Sequence, residues 1–249
     1  MTIIVRLNAK KEELENTYNS LTHSSISKTI LQDKIKVLNE LINAYSSTSP
    51  LPSLTDSQSI LSQQVGFEEQ KKAILGSLEI AEFCEKKGVK RNPLILCLVG
   101  PTGVGKTTFA QIIARALGKK FFSVALGGLS ETFFLLGSEA NSPANNMGQL
   151  AQALVATKTR DPVILLDEID KTGSPLKSCL LSILDPQQNQ AVLDYYLDIK
   201  LDFSQITFVL TANELKNFLP SLRDRMLIVE LPGYNKEQKK EICDKIIQQ

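Results

Sequence analysis

The chain has no tryptophan, a single histidine at His23, and four cysteines, Cys84, Cys97, Cys179 and Cys243. A structural zinc site takes about four nitrogen or sulfur ligands. Residues so scattered, with no CxxC pair among them, argue against metal ligation by Cys and His. They also form no disulfide framework, which fits a reducing compartment. Cys97 lies in an apolar strand pattern and Cys179 in an apolar helix pattern, so both read as small buried hydrophobes. An excess of one charge is missing too. Lys and Arg number 28, Asp and Glu 27, and the net charge is +1. A nucleic-acid protein usually carries a strongly basic domain, so nucleic acid is not an expected partner. The short cluster Lys86, Lys87, Lys90 and Arg91 reads as a solvated helix end and loop. No stretch approaches the ~18 apolar residues of a membrane span. The opening "MTIIVRLNAKKEELEN" has neither the apolar core nor the cleavage pattern of a signal peptide. These absences predict a cytoplasmic protein with no membrane partner.

What is present suffices for a sizeable core: 249 residues, 43% hydrophobic and 22% charged, enough for one large domain or two small ones. Residues 1–45 read as helical. In "KTILQDKIKVLNELINAY" the positions Ile30, Leu31, Ile35, Leu38, Leu41, Ile42 and Tyr45 recur at steps of three and four, an amphipathic stripe. It can pack on the rest of the chain, the reading slightly favoured, or on another subunit or partner. Residues 46–59, "SSTSPLPSLTDSQS", are rich in Ser, Thr and Pro and read as an extended, flexible linker. From residue 60 to 233 the pattern is α/β. "LILCLV", "FFSVAL", "PVILLD", "ITFVLTAN" and "MLIVEL" are strands alternating with helices, which predicts a parallel five-stranded sheet covered on both faces. In "SPLKSCLLSIL" Ser174 is the expected N-cap, with Pro175 at the first helical position. Residues 234–249 begin a further helical pattern.

The chemistry is concentrated after three of the strands. Gly100, Pro101, Thr102, Gly103, Val104, Gly105, Lys106 and Thr107 fit G-x-x-x-x-G-K-[ST], followed by Thr108. Glycines let such a loop turn successive N–H groups toward phosphate oxygens, and the helix that opens there adds its positive end. Lys106 would reach the outer phosphates and Thr107 would hold Mg²⁺. In "VILLDEID", Asp167 ends a strand where a carboxylate can hold Mg²⁺, and Glu168 can take a proton from an attacking water. Asn213 ends "FVLTAN" at the carboxyl edge of the sheet, where it can orient that water, touch the outer phosphate, or merely cap the strand. Arg223 and Arg225 precede the last strand. Either is a surface ion pair or an arginine offered to a neighbour's phosphate, and for Arg223 the ion pair is preferred.

From about Gln64 to Lys245 these elements, in this order, resemble the AAA+ ATPases, and more closely the ATPase module of the Lon protease family. "LILCLVGPTGVGKTTFAQIIARALGKKF", "VALGGLSE", "LLDEIDK", "LLSILDPQQNQAVLDYYLDIKLDFSQITFVLTAN", "LRDRM" and "LPGY" carry the likeness. The resemblance implies a P-loop NTPase fold that binds ATP and Mg²⁺. It implies Lys106 and Thr107 as the Walker A pair, Asp167 and Glu168 as the Walker B pair, Asn213 as sensor 1, and Arg225 as an arginine finger acting in trans. A homo-oligomeric ring, usually hexameric in the family, follows, with a protein substrate.

Two departures qualify this. Where the family has a basic segment and then an aromatic–aliphatic gripping pair, this chain has Ser138, Glu139 and Ala140, then Ser142 and Pro143. Phe133 and Phe134 stand just upstream, either as core residues, the preferred reading, or as a displaced gripping element. Second, no Ser–Lys peptidase segment and little of a helical lid lie within these residues, so the expectation is an ATPase that is not itself a peptidase, with a separate lid or peptidase chain as a candidate partner. The competing expectations are a nucleotide-binding adaptor or assembly subunit with little turnover, and a remnant of a split Lon protease.

Overall fold

The structure is a computed structural model describing residues 2–21, 25–88, 94–139, 146–216 and 218–247. In chain order the helices and strands are α1 (Ile3–Ser20), α2 (Ser25–Tyr45), α3 (Leu54–Ser62), α4 (Glu68–Lys86), β1 (Ile95–Val99), α5 (Lys106–Ala116), β2 (Phe121–Ala125), α6 (Phe133–Leu136), α7 (Gln149–Thr157), β3 (Val163–Asp167), α8 (Ser174–Ile183), β4 (Val192–Asp194), β5 (Ile199–Leu201), β6 (Thr207–Ala212), α9 (Pro220–Arg223), β7 (Leu227–Glu230) and α10 (Lys236–Ile247). The main sheet has five strands in the order β2-β3-β6-β1-β7. All four pairings are parallel, as the alternation of strand and helix patterns implied. The antiparallel pair β4–β5 forms a separate hairpin that the sequence reading did not resolve.

Alternation along the central strands sorts their side chains onto two faces. Ile95, Cys97 and Val99 of β1 join Ile164 and Leu166 of β3 and Phe208 and Leu210 of β6 in one core. Leu96, Leu98, Val163, Leu165 and Val209 face the other. The second face is covered by α3, α4 and α5, through Leu61, Ile74, Leu78, Phe109 and Ile113. The first is covered by α7 and α8, through Leu150, Leu154, Leu176 and Leu180.

The amphipathic stripe of α2 ends on that first face. Leu38, Leu41, Ala44 and Tyr45 are buried in the same cluster, with Leu7 and Leu14 of α1. Polar contacts fix the docking. The Tyr45 hydroxyl donates to the Asp202 carbonyl (2.9 Å) and accepts from the Asp202 N–H (3.0 Å). Lys10 pairs with Asp198 at 3.2 Å, and the Lys34 ammonium sits 4.9 Å from the Tyr196 ring centroid. The hairpin of α1 and α2 therefore packs on the chain's own α/β body.

Two local expectations are corrected. The stretch after α2 is extended, but it is tied down rather than loose. The Ser47 carbonyl accepts from the Arg160 N–H (3.1 Å), and Asp161 Oδ1 accepts from the Ser49 N–H (3.0 Å). It also ends at Ser53, which caps α3 by accepting from the Asp56 N–H at 3.1 Å, so α3 takes residues 54–59 out of what composition alone made a linker. Helix α8 begins one residue earlier than expected. Gly173 is its N-cap in extended conformation, and Ser174 already lies inside the helix. A Cβ on Gly173 would collide with the Ser130 side chain, so close packing selects glycine at this cap.

Candidate nucleotide site

The site lies where β1, β3 and β6 end together. These strands are neighbours in the sheet, so their carboxyl ends share one edge. The loop leaving β1 turns at Gly103 (φ 81°) and Gly105 (φ 83°), left-handed conformations that favour glycine. At Gly100 the reason is different: a Cβ there would meet the Leu231 carbonyl. Val104 points inward and is buried in the second core, anchoring the loop, and α5 opens at Lys106 directly after Gly105.

Around this loop lies a cavity of about 310 Å³ lined by Thr102, Gly103, Gly105, Lys106, Thr107, Thr108, Asp167, Glu168, Asp170, Thr211, Ala212 and Asn213. It therefore gathers Lys106, Thr107, Asp167, Glu168 and Asn213, the residues expected to form the site. Pro101 stands beside it, its carbonyl accepting from the Lys106 ammonium at 3.1 Å. Gly100 and Val104 support the loop from outside the lining.

The polar groups of the cavity bind one another. Lys106 Nζ donates to the Gly100 carbonyl (2.7 Å) and to Asn213 Oδ1 (3.0 Å). The Thr102 hydroxyl reaches the same Asn213 oxygen at 3.4 Å. Burial draws the Lys106 ammonium below its ordinary pKa, while Asp170, Asp167 and Glu168 oppose that shift. The Thr107 hydroxyl stands 3.5 Å from Asp167 Oδ2. A hydroxyl and a carboxylate at that separation are hard oxygen donors of the kind a Mg²⁺ ion takes together with phosphate oxygens. Lys106 and the loop N–H groups supply positive charge for an anion. The donor set thus fits a nucleotide phosphate with a divalent cation.

Two residues organising this site escaped the sequence reading. The first is Thr211, fully buried on β6. Its hydroxyl donates to Asp167 Oδ1 and accepts from the Glu168 N–H (2.9 Å), so one side chain sets both acids. The second is Asp170, whose Oδ2 accepts from the Asn213 N–H at 3.1 Å. Among the described residues its Oδ1 is buried without a partner, and it lines the cavity. The fourth letter of "DEID" was the only available signal for Asp170, and a threonine inside an apolar strand gave none for Thr211.

Glu168 itself is held in left-handed conformation (φ 60°, ψ 45°), which costs a non-glycine residue of order 1–3 kcal/mol. Its N–H is fixed by Thr211, its carbonyl accepts from the Lys171 N–H (3.1 Å), and its carboxylate pairs with the Lys171 ammonium. That carboxylate lies where a Cβ on Gly127 would be, which explains the first glycine of "LGG".

The two arginines part company. Arg225 is not on the cavity. Its Nη2 pairs with Asp185 Oδ2 at 2.8 Å, and Nη1 donates to the Ser221 carbonyl at 3.1 Å. Arg223 turns inward to the Leu215 carbonyl, and among the described residues its Nε is buried without a partner. The surface ion pair preferred for Arg223 is replaced by a backbone contact among the described residues.

Of the upstream aromatics, Phe134 packs against the first core, while Phe133 is exposed. Ser138 and Asn146 close the base of the departing segment: the Ser138 N–H donates to the Asn146 carbonyl (3.1 Å), and its hydroxyl accepts from the Asn146 N–H (3.2 Å). Ala140, Ser142 and Pro143 lie outside the described residues, as do His23, Lys90 and Arg91. Cys97 is fully buried and its thiol is pushed up to about 12. Cys179 is half-buried and pushed up to about 11, by burial in each case, so both are inert. Among the described residues no cluster of His, Cys, Asp and Glu could by itself hold a metal ion, and no helix is long and apolar enough to cross a membrane.

The sheet order, the glycine loop and the paired acids define a P-loop nucleotide-binding protein. Residues 96–233, more than half of the chain, match the model of the ATPase family associated with various cellular activities (AAA), and the chain belongs to that family. Within it the sequence is similar to Lon proteases. It is 40% identical over 186 residues to the Lon protease of Syntrophus aciditrophicus, covering 73% of this chain and 23% of that one. It is 41% identical over 192 residues to the peroxisomal Lon protease homolog 2 of Zea mays, covering 76% and 21%. With Lon protease 2 of Bdellovibrio bacteriovorus the figures are 42% over 172 residues, 67% and 22%. The chain thus spans less than a quarter of the length of these relatives. A solved chain of Hsp104, in a closed-state reconstruction with ATPγS and casein, shares the fold at a TM-score of 0.64 and 21% identity, over 78% of this chain and 38% of that one.

Proposed function

We propose that the chain is a Mg²⁺-dependent ATP hydrolase, a Lon-like AAA+ module working on protein in a homo-oligomeric ring. One observation carries the reading: Lys106, Thr107, Asp167, Glu168 and Asn213 line a single cavity at the ends of adjacent strands. Lys106, presently spent on the Gly100 carbonyl and Asn213, would exchange those partners for phosphate oxygens. Thr107 and Asp167 would hold Mg²⁺, which supplies charge neutralisation for the phosphate oxygens. Glu168 would accept the proton of the attacking water, and Asn213 would orient that water from beside Lys106. Arg225, turned away from its own cavity, would serve a neighbouring subunit.

The proposed division into residues 1–45, 46–59, 60–233 and 234–249 follows the sequence patterns, and the cytoplasm is the compartment that the cysteine usage supports. The adaptor reading relied on residues 1–45 as a partner-binding arm. Their burial against the chain's own core weighs against it.

ATP hydrolysis measured against protein concentration, for the wild type and Glu168→Gln, tests the proposal. Turnover per subunit should rise with concentration, since an arginine supplied from a neighbour is worth roughly 10³- to 10⁵-fold, and should vanish in the variant while ATP still binds. Binding without turnover at every concentration would overturn the hydrolase reading.

A further inference from the structure

We infer that Asp185 is the positioning residue for Arg225, holding its guanidinium ready for the neighbouring subunit's nucleotide. The inference rests on the trans role proposed above. The backbone around Arg225 is already fixed: Leu222 and Met226 on either side are buried, and the Arg225 N–H donates to the Leu222 carbonyl at 3.3 Å. A long side chain on a fixed backbone still samples many rotamers, so something must aim it. Misplacing a reacting group by about 1 Å can cost on the order of 10²-fold.

Asp185 is built for that task. It stands just past the end of α8, and Pro186 follows it. Its Oδ1 accepts from the Gln187 N–H (2.8 Å), and its carbonyl accepts from the Gln188 and Asn189 N–H groups (3.0 and 2.8 Å). The carboxylate is therefore preset by its own turn before it meets Arg225. The Gln187 N–H and the Arg225 guanidinium hold its pKa below the ordinary carboxylate value. Oδ2 takes Arg225 Nη2 at 2.8 Å, and the Ser221 carbonyl takes Nη1. A guanidinium has more N–H donors than these two contacts use, so the group is fixed without being exhausted. Helix α8 lies between the turn that follows Glu168 and Asp185, so in sequence a single helix separates the acid of one subunit's site from the residue that holds the arginine offered to the next.

Asp185→Asn keeps the turn's acceptor and removes the ion pair. Asp185→Ser can still cap the turn with its hydroxyl and cannot reach the guanidinium as a carboxylate. Each variant is assayed for turnover against concentration, for ATP affinity, for its thermal midpoint, and in mixtures with Glu168→Gln. Turnover at high concentration should fall at least about tenfold, with ATP affinity and midpoint near the wild type. Mixing with Glu168→Gln should restore part of it, because those subunits offer a correctly held Arg225 to sites whose Glu168 is intact. A merely structural defect would not be rescued by mixing. Wild-type turnover in either folded variant, or a loss that mixing leaves unchanged, would overturn the assignment. A wild type with no concentration-dependent turnover would instead sink the trans reading itself, and the role of Asp185 with it.

Discussion

At the scale of single residues, Glu168 shows what the site costs and what maintains it. Its left-handed backbone persists because Thr211, Lys171 and the space at Gly127 all specify the same position. Gly127 is the most direct test, because nothing about its backbone demands glycine and its only role here is room. Gly127→Ala would push a methyl group into the Glu168 carboxylate while leaving the phosphate loop untouched. Turnover should drop about tenfold or more, with ATP affinity within about twofold of the wild type, as expected when an interaction specific to the chemical step is lost. Equal losses of affinity and turnover would mean that the glycine serves the loop's fold instead. The residues named from the motif, Lys106, Thr107, Asp167, Glu168 and Asn213, were legible because strand, turn and helix patterns set their context. Thr211 and Asp170 were not, because their roles are contacts between strands and turns far apart in sequence.

At the scale of elements, the hairpin β4–β5 joins parts that the sequence presents as separate. The short strands "VLD" and "IKL" have too little alternation to announce themselves, yet Asp194 at the hairpin's turn is buried and carries the connection. Its carboxylate accepts from the N–H groups of Leu197, Tyr196 and Gly148, the last being the N-cap of α7. Burial pushes this carboxyl up to about 6, outweighing those hydrogen bonds and the nearby Lys34. The native chain thus binds a proton that the unfolded chain has released, over the interval from about pH 4 to about pH 6. Asp194 therefore loses stabilising effect as pH rises through that window and contributes nothing further above it. The unfolding free energies of the wild type and Asp194→Asn, followed in urea at several pH values, isolate this group. The wild type should lose up to about 3 kcal/mol relative to the variant between those limits. A difference that stays flat, or that grows in the wild type's favour as pH rises, would remove the buried-carboxyl account. The start of α8 was legible to within one residue, whereas α3, lying partly inside a stretch read as linker, was not legible at all. The tethered segment 46–53 was not, because Ser, Thr and Pro describe an extended backbone without saying what it lies against.

At the scale of the whole molecule, the five-stranded sheet separates two apolar cores, and the N-terminal helices close one of them. Periodicity predicted that α2 had a stripe to bury but could not choose its partner, because an amphipathic face records only that something covers it. Here the cover is mutual: α2 shields the first core with Leu38, Leu41 and Tyr45, and the body shields α2. Tyr45 adds direction, since its hydroxyl completes both backbone groups of Asp202 beside β5. Elements that share one core should lose it together. Thermal unfolding followed by far-ultraviolet circular dichroism, dominated by helix, and by tyrosine fluorescence, the chain having no tryptophan, should therefore give coincident midpoints. A chain lacking residues 1–45 should melt earlier and bind an apolar dye, because it uncovers α7 and the β4–β5 hairpin. An early, separate helical transition in the full chain, with a truncated body of unchanged midpoint, would make the N-terminal helices an independent arm and reopen the partner-binding role that their burial now argues against.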